Sequence, residues 1–306
     1  MTEDLSTAAA GAGLDIMALH RGNARKLGRQ DVLITSYASS GASLIGNVLI
    51  ELGIDHLDPY SEVVDEEGRA RVLDGHLAYR RRLAATAKLD AAGARGRSGE
   101  PRFVKNQLYP DAYDGVALGG HVLLVRDPRD AVYSFFRWYR DFAPLWWPEA
   151  GAPPDDFADF LARPAIHAET PIDRWTQLHE RWWRASERFE PFVVVRFEDL
   201  KSDPVDVVAA LLARFGVDRT RDEIRLAAGL STFEAMRAHE DAVSTRQAPD
   251  RGRDLRLLRR GKVGEWREWF DASGLAAAFA EPRLRSAAAR FGYHLPPGDG
   301  TPEEAR

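Results

Sequence analysis

The stretch from Val122 to Phe136 constrains the chain most: Val-Leu-Leu-Val, then Arg126-Asp127-Pro128-Arg129-Asp130, then Ala-Val-Tyr-Ser134-Phe-Phe. An unbroken aliphatic run reads as a strand buried on both faces, and Arg-Asp-Pro cannot continue it. A helix follows at once. Arg126 is therefore expected at the carboxyl end of a central strand, with Ser134 about two turns into the next helix, at the sheet edge where open α/β folds bind ligands. A guanidinium offers a planar fork of donors and a serine a short neutral one, which suits a phosphate. A purely structural alternative stays open on this stretch alone: Arg126 pairing with Asp127 or Asp130, and Ser134 a polar helix residue.

The remaining segments repeat the alternation. Asp31–Thr35 is a short apolar run, followed by Ser36-Tyr37-Ala38-Ser39-Ser40-Gly41-Ala42-Ser43 and an apolar-periodic helix from Leu44 to Gly53. Small residues before a helix let backbone N–H groups approach a phosphate, where the helix dipole also favours negative charge. No Gly-Lys-Ser/Thr ends this loop, so it is not a Walker A loop, and a kinase-like P-loop enzyme is disfavoured. Arg102–Lys105 reads as a strand delivering Lys105, Asn106 and Gln107 to the same edge, and Phe192–Phe197 as another buried strand closed by Glu198-Asp199-Leu200. Helices are expected at 155–162, 174–189, 204–215, 221–229 and 232–238. In the helix over 174–189, Trp175, Trp182 and Trp183 are expected in the core. Strands alternating with helices argue a mostly parallel sheet with helices on both faces.

Between these landmarks, residues 55–100 read as a surface excursion with a basic helix near Arg80. Aromatic residues from Trp138 to Trp147, beside prolines, read either as an acceptor pocket or as a satellite hydrophobic cluster. Leu258-Arg259-Arg260-Gly261-Lys262-Val263-Gly264-Glu265-Trp266 places cations and glycines before a helix start, a second anion-binding arrangement. The chain is expected to form one domain over 30–295, with a loose arm over 1–29 that has room for a short helix and a disordered tail over 296–306.

Composition limits the partners. With 47 acidic and 42 basic residues, a formal charge of −5, 44% hydrophobic and 29% charged residues, a general attraction to nucleic acid or an acidic membrane is not expected. Any anion site must be local. There is no cysteine, which excludes disulfides, thiolate catalysis and Cys-ligated metals. No secretory pattern and no membrane-length apolar run is present, so a cytoplasmic protein is expected.

Taken together, these segments resemble the PAPS-dependent sulfotransferase family from about residue 31 to 270. Arg126-Asp-Pro-Arg-Asp-Ala-Val-Tyr-Ser134 is similar to the family's Arg-x-Pro-x-Asp-x-x-x-Ser, which holds the nucleotide's 3′-phosphate. Arg259-Arg260-Gly261-Lys262-Val263-Gly264-Glu265-Trp266 is similar to its late Arg-Lys-Gly segment, which closes over the same phosphate. Phe197-Glu198-Asp199-Leu200 matches a segment whose aromatic residue lies beside the adenosine. Ser231-Thr232-Phe233-Glu234-Ala235-Met236 matches one whose ring and methionine flank the adenine. The resemblance implies a P-loop-like nucleotide-binding fold, PAPS as donor and PAP as product, and no metal. It also implies a small-molecule acceptor and leaves a homodimer open. The nucleotide contacts it assigns are Ser39, Ser40, Gly41, Ala42, Ser43, Arg126, Ser134, Phe197, Ser231, Phe233, Met236, Arg259, Arg260 and Gly261.

The departures fall where the reaction takes place. The family's loop Tyr-Pro-Lys-Ser-Gly-Thr-Thr-Trp is Tyr37-Ala38-Ser39-Ser40-Gly41-Ala42-Ser43-Leu44 here, so its lysine is Ser39 and its tryptophan Leu44. The family's Lys-Thr/Ser-His is Lys105-Asn106-Gln107, so the catalytic histidine is a residue that hydrogen-bonds but takes no proton. Lys105, Gln107 and Ser39 are the expected catalytic positions. His56, Glu62, His76 and Asp111 are candidate replacement bases, none singled out by spacing. Two readings follow: a sulfotransferase with an altered site, and a PAP- or PAPS-binding protein that has lost transfer or catalyses another reaction.

Overall fold

The computed structural model describes residues 16–59, 62–72, 99–146, 152, 154–165, 168–247, 258, 260–270 and 275–297. The chain divides into two compact units. The first comprises Met1–Ser36, Gly41–Leu124 and Ala185–Gly261, and the second Tyr37–Ser40, Val125–Arg184 and Lys262–Arg306.

The first unit is built on a five-stranded sheet: β1 (Asp31–Ser36), β2 (His56–Leu57), β5 (Arg102–Asn106), β6 (Gly120–Val125) and β7 (Phe192–Arg196) lie in the order β2-β5-β1-β6-β7. β1 runs parallel to both β5 and β6, and β2 parallel to β5. Every residue of β1, β5 and β6 is buried, as strands covered on both faces require. Alternation sorts their side chains. Val32, Ile34, Phe103, Val122 and Leu124 share a hydrophobic cluster with α2 (Ala42–Glu51), α7 (Pro204–Arg214) and α8 (Arg221–Leu230), through Ala42, Ile45, Val48, Leu49, Val208, Leu211, Leu212, Ile224 and Ala227. In α2 those positions repeat at the three-to-four-residue spacing of one helix face. Asp31, fully buried at the start of β1, lies opposite Arg102 in the register and accepts from its Nε at 2.7 Å, so the buried charge is compensated.

The parallel register fixes where the functional residues emerge. β1 leads into the loop from Tyr37, β2 into Asp58, β5 into Gln107 and β6 into Arg126. A small antiparallel pair, β3 (Glu62–Val64) with β4 (Ala70–Val72), occupies part of the expected surface excursion; its expected basic helix near Arg80 lies outside the described residues. α1 (Ile16–Ala24) is the short helix for which the sequence left room, and Asn23 bonds Glu62 O and Val64 N of β3.

Side chains cap the starts of α7 and α8. Asp203 caps α7 with Pro204 at its first position, and Thr220 and Glu223 form a reciprocal capping box on α8. α2 differs: its N-cap is Gly41, in the left-handed region, with no side-chain cap bond. α6 (Phe197–Ser202) and α9 (Phe233–Gln247) complete the unit.

The second unit is helical. α3 runs from Pro128 to Trp146, so Trp138, Tyr139 and Phe142 belong to the helix that begins at the motif, and not to a separate segment after it. Phe135, Phe136 and Tyr139 pack with Phe160 of α4 (Phe157–Ala162) in a buried aromatic cluster. The helix expected over 174–189 is α5 (Pro171–Arg184) followed by a 3-10 turn at Ser186–Arg188. Trp175 and Trp182 are fully buried, as expected; Trp183 is not, at 39% exposure, with the Arg290 guanidinium 5.5 Å from its ring centroid. α10 (Pro282–Ala289) is tied to α5 by Arg283 on Glu180. No helix among the described residues is long and apolar enough to cross a membrane.

Candidate functional site

In the first unit the site begins at α2. Gly41 has φ 101°, a backbone that an L side chain rarely adopts, and a Cβ there falls 2.5 Å from the Phe197 ring. The ring therefore packs directly against the backbone at the helix start. This is the position of Phe197 that sequence similarity marks as adenosine-proximal. Ala42 is buried and Ser43 half-buried at the first turn, whose N–H groups have no side-chain cap. An uncapped helix start carries both orphan donors and the positive end of the dipole.

Lys105 lies on the face of β5 that carries α2, and its Nζ donates to Asp58 Oδ2 at 3.2 Å. Asp58 lies one step beyond the Leu57–Val104 pair, opposite Lys105, and its side chain is fully buried. Its backbone N–H donates to Glu62 Oε2 at 2.6 Å. Among the proposed bases, Glu62 is thus linked through Asp58 to Lys105. Asp111 is exposed in the 3-10 turn Pro110–Tyr113, and His56 is buried with its ring against Gly46; His76 lies outside the described residues. Gln107 is half-buried. Between it and Lys105, Asn106 bonds Thr35 Oγ1, Leu108 N and O, and the Tyr113 hydroxyl, which fixes the backbone on both sides. His121 shares Thr35 Oγ1 at 2.8 Å; burial pushes its imidazole down to about 3, so it is neutral.

Ser231, a predicted nucleotide contact, is fully buried, donates to Ala227 O and accepts from Asn47 Nδ2. Those bonds tie α2 to the end of α8. Met236 is buried and Phe233 half-buried on α9. A Cβ at Gly261 falls 2.9 Å from the Phe233 ring, so this ring too lies under a glycine backbone. Arg260 is exposed; Arg259 lies outside the described residues.

In the second unit, Tyr37–Ser40 and Arg126 come together. Arg126 Nη1 donates to Ser39 O at 2.8 Å and Nη2 to Lys262 O at 2.9 Å, while Trp175 Nε1 donates to Arg126 O. The guanidinium thus holds both Ser39 of the loop and the late basic segment. Ser39 has φ 61°. The Ser40 and Tyr37 hydroxyls are buried without a hydrogen-bond partner among the described residues, and burial pushes the Tyr37 phenol well above its ordinary range.

The carboxylate of Asp130 accepts Gly264 N at 2.7 Å and Trp266 N at 2.8 Å, and lies 3.9 Å from Arg126 Nη2. Burial raises its pKa, against the opposing effect of Arg126 and the two N–H groups. Arg129 is pinned by Asp127 and stacks on Trp266, its guanidinium 3.6 Å from the ring centroid. Ser134 is half-buried on α3. Asp58 was not singled out from sequence, and Asp130 entered there only as an ion-pair partner for Arg126, although it is the fixed acid of the Arg-x-Pro-x-Asp pattern. For Asp58 the only signal is its place immediately after a short strand.

Comparison with known proteins bears on the family and the fold. A family model described as Sulfotransferase domain matches residues 121–281. Mouse sulfotransferase 2A2 is 21% identical over 245 residues, 79% of each chain, and flavonol 3-sulfotransferase of Flaveria bidentis is 26% identical over 157 residues, 49% of each chain. Among solved structures, mouse sulfotransferase SULT7A1 complexed with PAP superposes with a TM-score of 0.59 at 18% identity, covering 89% of this chain and 92% of that one. A retinol dehydratase bound to androsterone and PAP gives 0.57 at 19% identity over 92% and 87%. The structural likeness shows the fold. Because the family model spans more than half of the residues, the chain belongs to the sulfotransferase domain family.

Proposed function

We propose that the protein moves a sulfuryl group from PAPS to a hydroxyl or amine of a small acceptor, through a site that departs from the family pattern. The observation that carries this reading is the open start of α2. α7 and α8, helices of similar length in the first unit, are capped by side chains, whereas α2 begins at Gly41 with no cap, directly after a buried Ser40 hydroxyl that has no partner among the described residues. Orphan N–H groups and an orphan hydroxyl fit an anionic 5′-phosphate. Arg126 and Ser134, with Arg260 and Gly261, are the 3′-phosphate residues that the sequence similarity assigns, and Phe197, Phe233 and Met236 the adenine-side ones.

PAPS supplies the activated sulfuryl group and leaves as PAP when its S–O bond to phosphate breaks and the new O–S or N–S bond forms. The chain's own residues hold and polarise. The α2 start and the Lys105 ammonium oppose the charge that gathers on the departing phosphate, the kind of electrostatic help worth about 3–4 kcal/mol per well-aimed donor. Ser39 replaces the usual lysine with a neutral hydroxyl. Gln107 orients an acceptor through hydrogen bonds and takes no proton, so the acceptor's proton passes to a carboxylate or to solvent. The Lys105–Asp58 ion pair also favours a second reading, a nucleotide-binding protein without transfer, because it engages the cation that transfer needs.

Calorimetric titration with PAP and with 5′-AMP, which differ only in the 3′-phosphate, tests the nucleotide assignment. Tight binding of PAP with weak binding of 5′-AMP supports it; equal binding overturns it. Sulfate transfer from PAPS across a panel of phenols, alcohols and amines then separates the two readings, since binding without transfer to any acceptor supports the second.

A further inference from the structure

Helix α9 presents three residues to the late basic segment. Phe233, Arg237 and Glu240 are spaced i, i+4 and i+7, one face of a helix. The Phe233 ring lies against the backbone of Gly261, where a Cβ falls 2.9 Å away. Arg237 Nη1 donates to Leu258 O, and its guanidinium carbon lies 6.0 Å from the Phe233 ring centroid. Glu240, almost fully buried, accepts Leu258 N at 3.2 Å. The two polar groups of one peptide residue are thus satisfied by a donor and an acceptor one turn apart on the same helix, as a neighbouring strand would satisfy them. A loop residue in water gets no such fixed partners.

We infer that Arg237 and Glu240 are positioning residues for nucleotide selectivity: they anchor Leu258, as Phe233 seats Gly261, so that Arg260 is held ready for the 3′-phosphate. This rests on the nucleotide reading above. Fixing the segment before the ligand arrives removes an ordering cost that binding otherwise bears, which is the general effect of preorganisation. The anchor acts on the segment that carries Arg260, whereas the α2 start assigned above to the 5′-phosphate lies on a different element. Its loss therefore changes the preference between nucleotides, and not binding in general.

The test compares Arg237→Ala, Arg237→Lys, Glu240→Ala and Glu240→Gln with the wild type, titrating each with PAP and with 5′-AMP. Lysine keeps a donor for Leu258 O and glutamine keeps an acceptor for Leu258 N. Both alanine variants are expected to bind PAP about tenfold more weakly, the effect of losing one charge-assisted hydrogen bond, with 5′-AMP within about twofold. The lysine and glutamine variants are expected to retain most of the PAP affinity. Unchanged 5′-AMP binding also shows that a variant is folded. Equal losses for both nucleotides, or no loss in either alanine variant, overturn the anchor. A wild type that does not distinguish PAP from 5′-AMP overturns the nucleotide reading itself, and is seen before any variant is made.

Discussion

Arg126 and Asp130, at i and i+4 in the chain, grip the same segment by opposite chemistry: Arg126 donates to the carbonyl of Lys262, and Asp130 accepts the N–H groups of Gly264 and Trp266. The pair that sequence alone leaves as a candidate ion pair is 3.9 Å apart and acts chiefly through backbone. Asp130→Ala removes both acceptors. Two partly buried N–H groups then need water, against which relief from burying the carboxylate gives back part. A net loss of about 1–3 kcal/mol is expected, read as a lower urea midpoint, with faster hydrogen exchange confined to residues 262–268. Uniform exchange across the unit would show that Asp130 does not hold this segment in particular.

Gly41→Ala tests the contact between α2 and Phe197. An L residue in the left-handed region costs about 1–2 kcal/mol, and here the added methyl also meets the ring at 2.5 Å. Gly53 is an internal control, since its φ is 69° and a Cβ there meets nothing within 4 Å. Gly53→Ala is expected to cost only the backbone component, and Gly41→Ala clearly more. Phe197→Leu in the Gly41→Ala background should recover the difference. If the two alanine variants are equally destabilised, the ring does not constrain the helix start.

The sheet and its loops were legible because buried parallel strands write themselves as aliphatic runs, and the motifs sit where those runs stop. Phe197, Phe233 and Gly261 were also legible as members of matched segments, but that each ring lies under a glycine backbone was not, since it depends on residues far apart in sequence. The length of α3 was missed because its aromatic second half looks the same as a loop cluster by composition, yet Phe135, Phe136 and Tyr139 follow one helix face. Trp183 was misplaced because its two neighbours in the stripe are buried and the helix turns it outward. Asp58 carried no local signal: its role comes from lying opposite Lys105 across two strands.

Lys105 and Asp58 are buried together, so removing either strands the other. Lys105→Met is expected to destabilise by about 3–5 kcal/mol, and Asp58→Leu similarly, whereas the double variant recovers most of the loss because an apolar pair replaces the ion pair. Sulfate transfer should not recover with stability, since the double variant still lacks the cation. The checks are urea unfolding for all three variants and single-turnover transfer from PAPS for the double variant. Additive stability losses would mean that the two side chains are not coupled, and wild-type transfer in the double variant would remove Lys105 from the reaction.

His121 makes the fold acid-sensitive in a way that can be assigned to one residue. Its imidazole is held at about 3, against an ordinary 6.5, by burial between β1 and Phe189 and Phe192, with Thr35 as a neutral partner. A histidine whose folded value is depressed adds stability that is full above 6.5 and declines as the pH falls toward 3, because only the unfolded chain takes up the proton in that window. The slope is about 1.4 kcal/mol per pH unit, so lowering the pH from 6.5 to 5 should cost about 2 kcal/mol through this residue. His121→Gln keeps a hydrogen-bonding group for Thr35 and cannot be protonated. It is expected to be less stable than the wild type at pH 7.5, with the gap narrowing by about 2 kcal/mol at pH 5 as read from paired urea titrations. A gap that is constant with pH would mean that the imidazole titrates in the folded protein as it does in the unfolded chain, so that burial does not exclude its charged form.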